Sequence, residues 1–314
     1  MPLDPVLKSF LDQMAAIPGP KMWEQSPNDG RQAFTALLQL VGPKDVPVGK
    51  IENLAATGPN GTIPLRLYSP VAAGSEALPV LVYFHGGGFV IGDLDTHDGL
   101  CRMFADEAGC RVIAVHYRLA PENKFPAAVD DAVAAVNWIS ENASNLGIDA
   151  NRIAVGGDSA GGALAAIVAQ GVRDSGGPKL ALQMLLFPVT EIGGDTSSQR
   201  EFAVGYFLEK KTLDWFFGHY LPAGTDTSDA RVSPLLAGSF KGLAPAFVML
   251  GGFDPLHDEG ERYAQKLRMA GVPVTVADHS DMVHCFIYLQ TILPQAREAV
   301  SGAAKALKKA FATS

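Results

Sequence analysis

The stretch Ile153-Ala154-Val155-Gly156-Gly157-Asp158-Ser159-Ala160-Gly161-Gly162 decides how the rest of the chain is read. Small and β-favouring apolar residues run into Gly157-Asp158-Ser159-Ala160-Gly161, and an alanine-rich segment of helical character follows from Ala163 to Ala169. The pattern is strand, sharp turn, helix, with Ser159 at the apex. It fits the G-x-S-x-G turn, in which a strained backbone holds the serine oxygen above the strand end. Gly157 and Gly161 stand two residues either side, where a side chain would collide with a neighbouring element. The helix start aims N–H groups and a positive dipole end at any oxyanion formed beside Ser159. Taken alone, the pattern also describes a glycine-rich strand-to-helix turn with a capping serine.

Working outward, apolar runs and helical patterns alternate. Helices are expected from about Asp4 to Ala16, from a cap at Asn28 or Asp29 to Leu40, and over His97–Ala108, Ala127–Asn145 and Glu259–Ala270. Strands are expected at 48–54 and 63–68, joined by a Pro59-Asn60-Gly61 turn, then at 79–84, 111–117, 182–188, 246–251 and 274–277. Uninterrupted apolar runs such as Pro79-Val80-Leu81-Val82-Tyr83-Phe84 suit strands buried on both faces. The alternation predicts an α/β fold with a mostly parallel sheet covered on both sides, and reacting groups beyond the carboxyl ends of its strands. One stretch breaks the rhythm. Residues 190–233 show no strand and hold Phe202, Tyr206, Phe207, Leu208, Trp215, Phe216, Phe217 and Tyr220. They read as a helical insertion which, with N-terminal helices in residues 1–45, forms a lid. The body then comprises residues 46–189 and 234–314.

The formal charge is −8 and no Lys/Arg cluster appears, which argues against nucleic acid as a partner. No apolar stretch reaches the roughly 20 residues that span a bilayer. Met1-Pro2-Leu3-Asp4-Pro5 lacks the basic-then-apolar pattern of a signal peptide, and Cys101, Cys110 and Cys285 have no paired spacing. The expected compartment is the cytoplasm, with reduced thiols.

A serine hydroxyl needs a neutral base within hydrogen-bond reach, and the base needs a carboxylate to fix its tautomer. Asp254 follows one strand in Gly251-Gly252-Phe253-Asp254-Pro255-Leu256, and His284 follows the last in His279-Ser280-Asp281-Met282-Val283-His284. Ser159, Asp254 and His284 thus occupy three strand ends in the order Ser, Asp, His. His279 is the main competitor for the base. Asp258 reads as the cap of the following helix, and Asp281 lies in the same loop as His284. The run His85-Gly86-Gly87-Gly88 leaves amides free to turn inward, and Gly87, Gly88 and Ala160 are the candidate donors to an oxyanion. His85 reads as a structural hydrogen-bonder. A phosphate loop is disfavoured, because neither a following Lys-Ser/Thr nor a G-x-G-x-x-G pattern is present.

His85-Gly86-Gly87-Gly88-Phe89, Tyr117-Arg118-Leu119-Ala120-Pro121-Glu122, Gly157-Asp158-Ser159-Ala160-Gly161-Gly162 and Asp254-Pro255-Leu256 together resemble the hormone-sensitive lipase family of carboxylesterases. This is bacterial esterase family IV, in its GDSAG group, within the α/β-hydrolase fold. The resemblance covers nearly the whole chain. It implies an eight-stranded sheet and a cap from the N-terminus and central insertion. It also implies triad roles for Ser159, Asp254 and His284, oxyanion donation from Gly87, Gly88 and Ala160, short- to medium-chain acyl esters as substrates, no cofactor or metal, and frequent homodimers. One departure is Cys285, where the family usually has Gly after the histidine. Arg118 and Glu122 are expected to pair within a turn, and Phe89, Phe202, Phe207 and Trp215 to line an apolar substrate pocket. Amidases and peptidases share the fold. Plant gibberellin receptors resemble the family but have lost the histidine, which disfavours a non-catalytic role where His284 is kept.

Overall fold

The computed structural model describes residues 1–313. The chain opens with α1 (Pro5–Ala16), whose first turn is capped by the Asp4 carboxylate accepting from the Val6 amide at 2.8 Å and the Leu7 amide at 3.1 Å. Next comes α2 (Pro27–Val41), capped by Ser26, two or three residues before the expected position because Pro27 suits the first helical turn. β1 (Lys50–Gly58) and β2 (Gly61–Ser69) form an antiparallel pair across a tight turn. The alternation then runs β3 (Leu78–Phe84), α3 (Asp98–Ala108), β4 (Arg111–Val115), α4 (Ala127–Glu141), β5 (Ile148–Asp158), α5 (Ala160–Ser175) and β6 (Leu180–Leu186). Residues 190–233 hold α6 (Ser197–Glu201) and α7 (Lys210–Tyr220). The chain finishes with β7 (Ala246–Phe253), α8 (His257–Met269), β8 (Val274–Val283) and α9 (Pro294–Ala312).

The eight strands form one sheet in the order β1-β2-β4-β3-β5-β6-β7-β8. β1, β2 and β4 pair antiparallel and every other neighbour pair is parallel. The strand order reverses between β3 and β5, and a sheet of this kind opens a crevice at the carboxyl ends on either side of that point. Two apolar cores flank the sheet. One packs α4, α5 and α8 against it, and the other packs α3, α9 and the N-terminal residues Leu7, Leu38 and Val41.

α5 is buried along nearly its whole length. Its run of Ala and Gly lets the helix lie close to the sheet, and a helix apolar all round belongs inside a core. β8 extends past the expected Ala277 to Val283. It is an edge strand with one partner, so polar residues on its open side cost little. Asp281 therefore sits in a strand and not in a loop, and His279 sits within the strand and not at its end. Asp258 is not the helix cap: its carboxylate accepts from the Ser198 amide at 3.0 Å and ties α6 to α8. Arg118 and Glu122 do not pair with one another. Arg118 pairs with Asp131 of α4 at 2.7 Å and Glu122 with Arg31 of α2 at 2.7 Å, and in each pair both carboxylate oxygens meet the guanidinium.

Candidate active site

Four strands end at one level. His85 follows β3, Ser159 follows β5, Asp254 follows β7 and His284 follows β8. The turn at Ser159 takes φ +54° and ψ −117°, a conformation that side-chain-bearing residues rarely adopt. Neighbouring strands hold it there. The Ser159 amide donates to the Leu186 carbonyl at 2.9 Å, and the Val189 amide donates to the Ser159 carbonyl at 3.1 Å. The two flanking glycines are required by space. A Cβ on Gly157 would lie 2.4 Å from the Phe84 carbonyl oxygen, and one on Gly161 would lie 1.9 Å from the same atom.

Ser159 Oγ lies 3.0 Å from His284 Nε2, and His284 Nδ1 lies 2.6 Å from Asp254 Oδ2. The carboxylate accepts, so Nδ1 donates and Nε2 is left to accept from the serine hydroxyl. Asp254 is itself fixed, because its Oδ1 accepts from the Leu256 amide at 2.8 Å. The Phe187 ring meets the His284 imidazole edge-on, with centroids 4.8 Å apart. Asp254 is fully buried and Ser159 is 7% exposed. Cys285 takes φ +61°, a left-handed backbone in which glycine is at ease, and here a cysteine carries it.

The loop after β3 crosses beside the serine turn. Gly87 takes φ +113° and Gly88 φ +59°. The Ile91 amide donates to the Gly87 carbonyl at 2.9 Å, closing the loop on itself. Behind it, His85 stacks on Tyr117 at 4.3 Å, and its Nδ1 lies 2.8 Å from the Gly86 carbonyl oxygen. Burial first, then the His97 side chain, hold His85 down at about 3, so it stays neutral and acts as a support. His279 packs against Phe286, 5.0 Å between centroids, while burial lowers its pKa. The structure brings His284 to the serine and leaves His279 in the strand.

A cavity of about 480 Å³ opens above this group, lined by Gly87, Asp158 and His284 at its floor. Its walls are apolar and come from α1 (Leu11, Met14), α2 (Phe34, Leu37) and the 205–216 segment (Phe207, Leu208, Phe216). Of the four expected wall residues, only Phe207 lines it. Phe89 stacks on Tyr220 at 3.9 Å, beneath the glycine loop. Phe202 packs against Tyr206 and Phe253. Trp215 faces His219, and its ring edge abuts Gly30 of α2. The residue next to it, Phe216, turns inward with Leu213 and Tyr220. That i, i+3, i+7 spacing marks the inward face of α7 and was readable in the sequence. Ile91 and Tyr288 also reach the cavity and had no comparable signal. Among the described residues, no group of three or more His, Cys, Asp or Glu side chains is placed to hold a metal ion, and no helix is long and apolar enough to cross a membrane.

Residues 81–288 match the α/β-hydrolase fold family. Over 245 residues, 76% of this chain and 65% of the relative's length, the chain is 48% identical to the carboxylic ester hydrolase LipN of Mycobacterium tuberculosis. Over 311 residues it is 40% identical to the esterase LipI of the same organism, covering 98% of this chain and 94% of that one. Among solved structures, a mutant of LAE6, an α/β-hydrolase enzyme from the metagenome of Lake Arreo, superposes with a TM-score of 0.96 at 42% identity, over 99% of both chains. The strand order, the serine turn and these likenesses agree: the chain belongs to the α/β-hydrolase fold family, in the hormone-sensitive lipase group of carboxylesterases.

Proposed function

We propose that this carboxylesterase cleaves short- to medium-chain acyl esters through a covalent acyl-enzyme on Ser159. One observation carries the reading: the relay from Ser159 Oγ to His284 Nε2 at 3.0 Å and from His284 Nδ1 to Asp254 Oδ2 at 2.6 Å, at the floor of an apolar cavity. Ser159 attacks the ester carbonyl while His284 takes its proton, and Asp254 stabilises the imidazolium. The carbonyl oxygen gathers negative charge beside the amides of Gly87, Gly88 and Ala160. Collapse of this intermediate breaks the bond to the alkoxy oxygen, which leaves as alcohol with the proton from His284. Water then adds to the acyl-enzyme by the same steps, releasing the acid and restoring Ser159. Residues 1–45 and 190–233 act as the cap, since both line the cavity. The volume of about 480 Å³ suits a small ester rather than a long-chain lipid. The three unpaired cysteines accord with work in the cytoplasm, and the chemistry calls for no cofactor.

The test is Ser159→Ala assayed on a p-nitrophenyl ester series from acetate to palmitate, beside the matching amides. The wild type is expected to prefer the shorter esters over the amides. The variant is expected to keep its fold and to lose labelling by a fluorophosphonate together with at least about 10³ of its turnover. Near wild-type turnover in the folded variant would reject the mechanism, and faster amide cleavage would reject the substrate class.

A further inference from the structure

Asp158 stands directly before Ser159 and is fully buried. Its Oδ1 accepts from the Tyr83 hydroxyl at 2.6 Å and from the Gly86 amide at 3.1 Å, and its Oδ2 accepts from the Tyr288 hydroxyl. Burial works against its charge, but the His97 side chain and the hydroxyl donors outweigh that and hold its pKa below the usual carboxylate range. Four chain segments thus meet on one carboxylate: β3, the glycine loop, the turn before α3 and the turn after His284.

The buried His97 completes the cluster, and its hydrogens can be counted from its neighbours. Its Nε2 lies 2.6 Å from Tyr288 Oη. The one hydroxyl hydrogen of Tyr288 goes to Asp158, so that contact requires a hydrogen on Nε2. The Gly86 amide is shared: it donates to Asp158 Oδ1 at 3.1 Å, and its longer arm points to His97 Nε2 at 3.3 Å. His97 Nδ1 lies 2.9 Å from Thr96 Oγ1. The Thr96 hydroxyl donates to the Asp93 carbonyl at 2.9 Å and accepts from the Asp93 amide at 2.8 Å, so this contact requires a hydrogen on Nδ1.

We infer that His97 is held as an imidazolium, the charge partner of Asp158, and that the pair positions the glycine loop for the developing oxyanion. His97 Nε2 is 3.5 Å from Asp158 Oδ1. The other titratable groups facing the ring are His85, Tyr83 and Tyr288, with ring centroids 5.4, 6.3 and 5.3 Å away. None of these supplies a second positive charge, since His85 is neutral. A lone carboxylate buried beside the serine turn would repel the negative charge that forms on the substrate, and an adjacent cation cancels that field. His97 touches no reacting atom and is a positioning residue. The inference rests on the acyl-enzyme reading above.

The decisive measurement is the hydrogen count on His97 in the wild-type protein near neutral pH. It is read by neutron diffraction of a perdeuterated crystal or by long-range proton–nitrogen NMR on histidine-labelled protein. Both ring nitrogens are expected to carry hydrogen. One bare nitrogen overturns the inference while leaving ester hydrolysis, tested through Ser159, standing. In kinetics, His97→Gln keeps one donor nitrogen and removes the charge. It is expected to lower kcat on the order of tenfold with KM little changed, less than the ~10²–10³ of losing an oxyanion donor outright. Wild-type kcat in a folded His97→Gln protein also overturns it. Should that variant fail to fold, Tyr288→Phe, which removes the hydroxyl between the two charges, is expected to show the same fall in kcat at constant KM, and an unchanged kcat counts against the inference.

Discussion

The ring of Phe216 lies against Gly88 so closely that a methyl group on Gly88 would sit 2.2 Å from Phe216 Cγ. A residue of the 190–233 segment thereby presses directly on the glycine loop, whose amides we propose serve the substrate. Gly88 also takes φ +59°, so alanine there meets both a strained backbone and an occupied space. Gly88→Ala is expected to lose about 10²-fold or more in kcat while keeping its circular dichroism spectrum. Turnover within a few-fold of wild type would mean that the loop amides do not serve the oxyanion. The complementary change, Phe216→Ala, widens the cavity and frees the loop. Its kcat/KM is expected to fall most for acetate and least for longer acyl chains, which a chain-length series measures.

Asp254→Asn separates position from charge. The Leu256 amide donates to Asp254 Oδ1, so an asparagine oxygen can keep that bond and turn its NH₂ toward His284 Nδ1. The imidazole then presents a hydrogen, and not a lone pair, to Ser159. We expect kcat to fall on the order of 10⁴-fold with stability nearly unchanged. A loss under tenfold would indicate that another acid supports His284.

Arg31 fastens α2 to the body. Its Nε donates to the Val90 carbonyl at 2.8 Å, its Nη2 to the Ala120 carbonyl at 2.9 Å, and it pairs with Glu122, whose carboxyl it holds down at about 2. Arg31→Ala leaves two part-buried carbonyls short of a donor, a loss of about 1–3 kcal/mol. At about 1.5 °C per kcal/mol for a chain of 314 residues, a thermal melt resolves it. Because Phe34 and Leu37 of the same helix line the cavity, KM is expected to rise more than kcat falls. An unchanged melt and KM would show that α2 is held by its apolar face alone.

Glu259 predicts how stability varies with pH. Burial lifts it to about 8, with a push from the Asp254 charge, against the pull of amide donors from Thr190, Glu191 and Gln199. The folded chain therefore holds this proton more tightly than the unfolded chain, where an ordinary Glu titrates near about 4.3. The resulting stability is fully present below about pH 4.3 and is lost as pH rises through about 8. Glu259→Gln removes that titration. Relative to the variant, the wild type is expected to lose about 1 kcal/mol per pH unit between about pH 5 and about pH 8, read from urea unfolding at each pH. Parallel curves for the two proteins would reject the protonated carboxyl.

The layered body was legible because its central strands are buried on both faces and appear as unbroken apolar runs, as in 79–84 and 182–186. Ser159 and Asp254 stood out because each follows a strand with such a run, and His284 because it follows the last strand; the structure brings the three side chains within hydrogen-bond reach. α9 gave a weaker signal. Its buried face is Ala296, Ala299, Val300, Ala303 and Leu307, correctly spaced but built largely of alanine, which contrasts little with its surroundings. The edge strand β8 was read short because its open side tolerates Asp278, Ser280 and Asp281. The cavity walls were least legible. Adjacent residues on a helix point about 100° apart, so choosing Trp215 over Phe216 selects the wrong side of α7.

The walls and floor of the cavity are contributed by residues as far apart as Leu11 and Tyr288. Leu7, Leu38 and Val41 also share a core with Val300, Leu307 and Phe311 of the last helix. Almost the whole polypeptide must therefore be in place before an ester meets a complete site. A nascent or half-refolded chain is therefore expected to be catalytically silent, and the return of hydrolysis after dilution from denaturant is expected to time the final closure of the molecule.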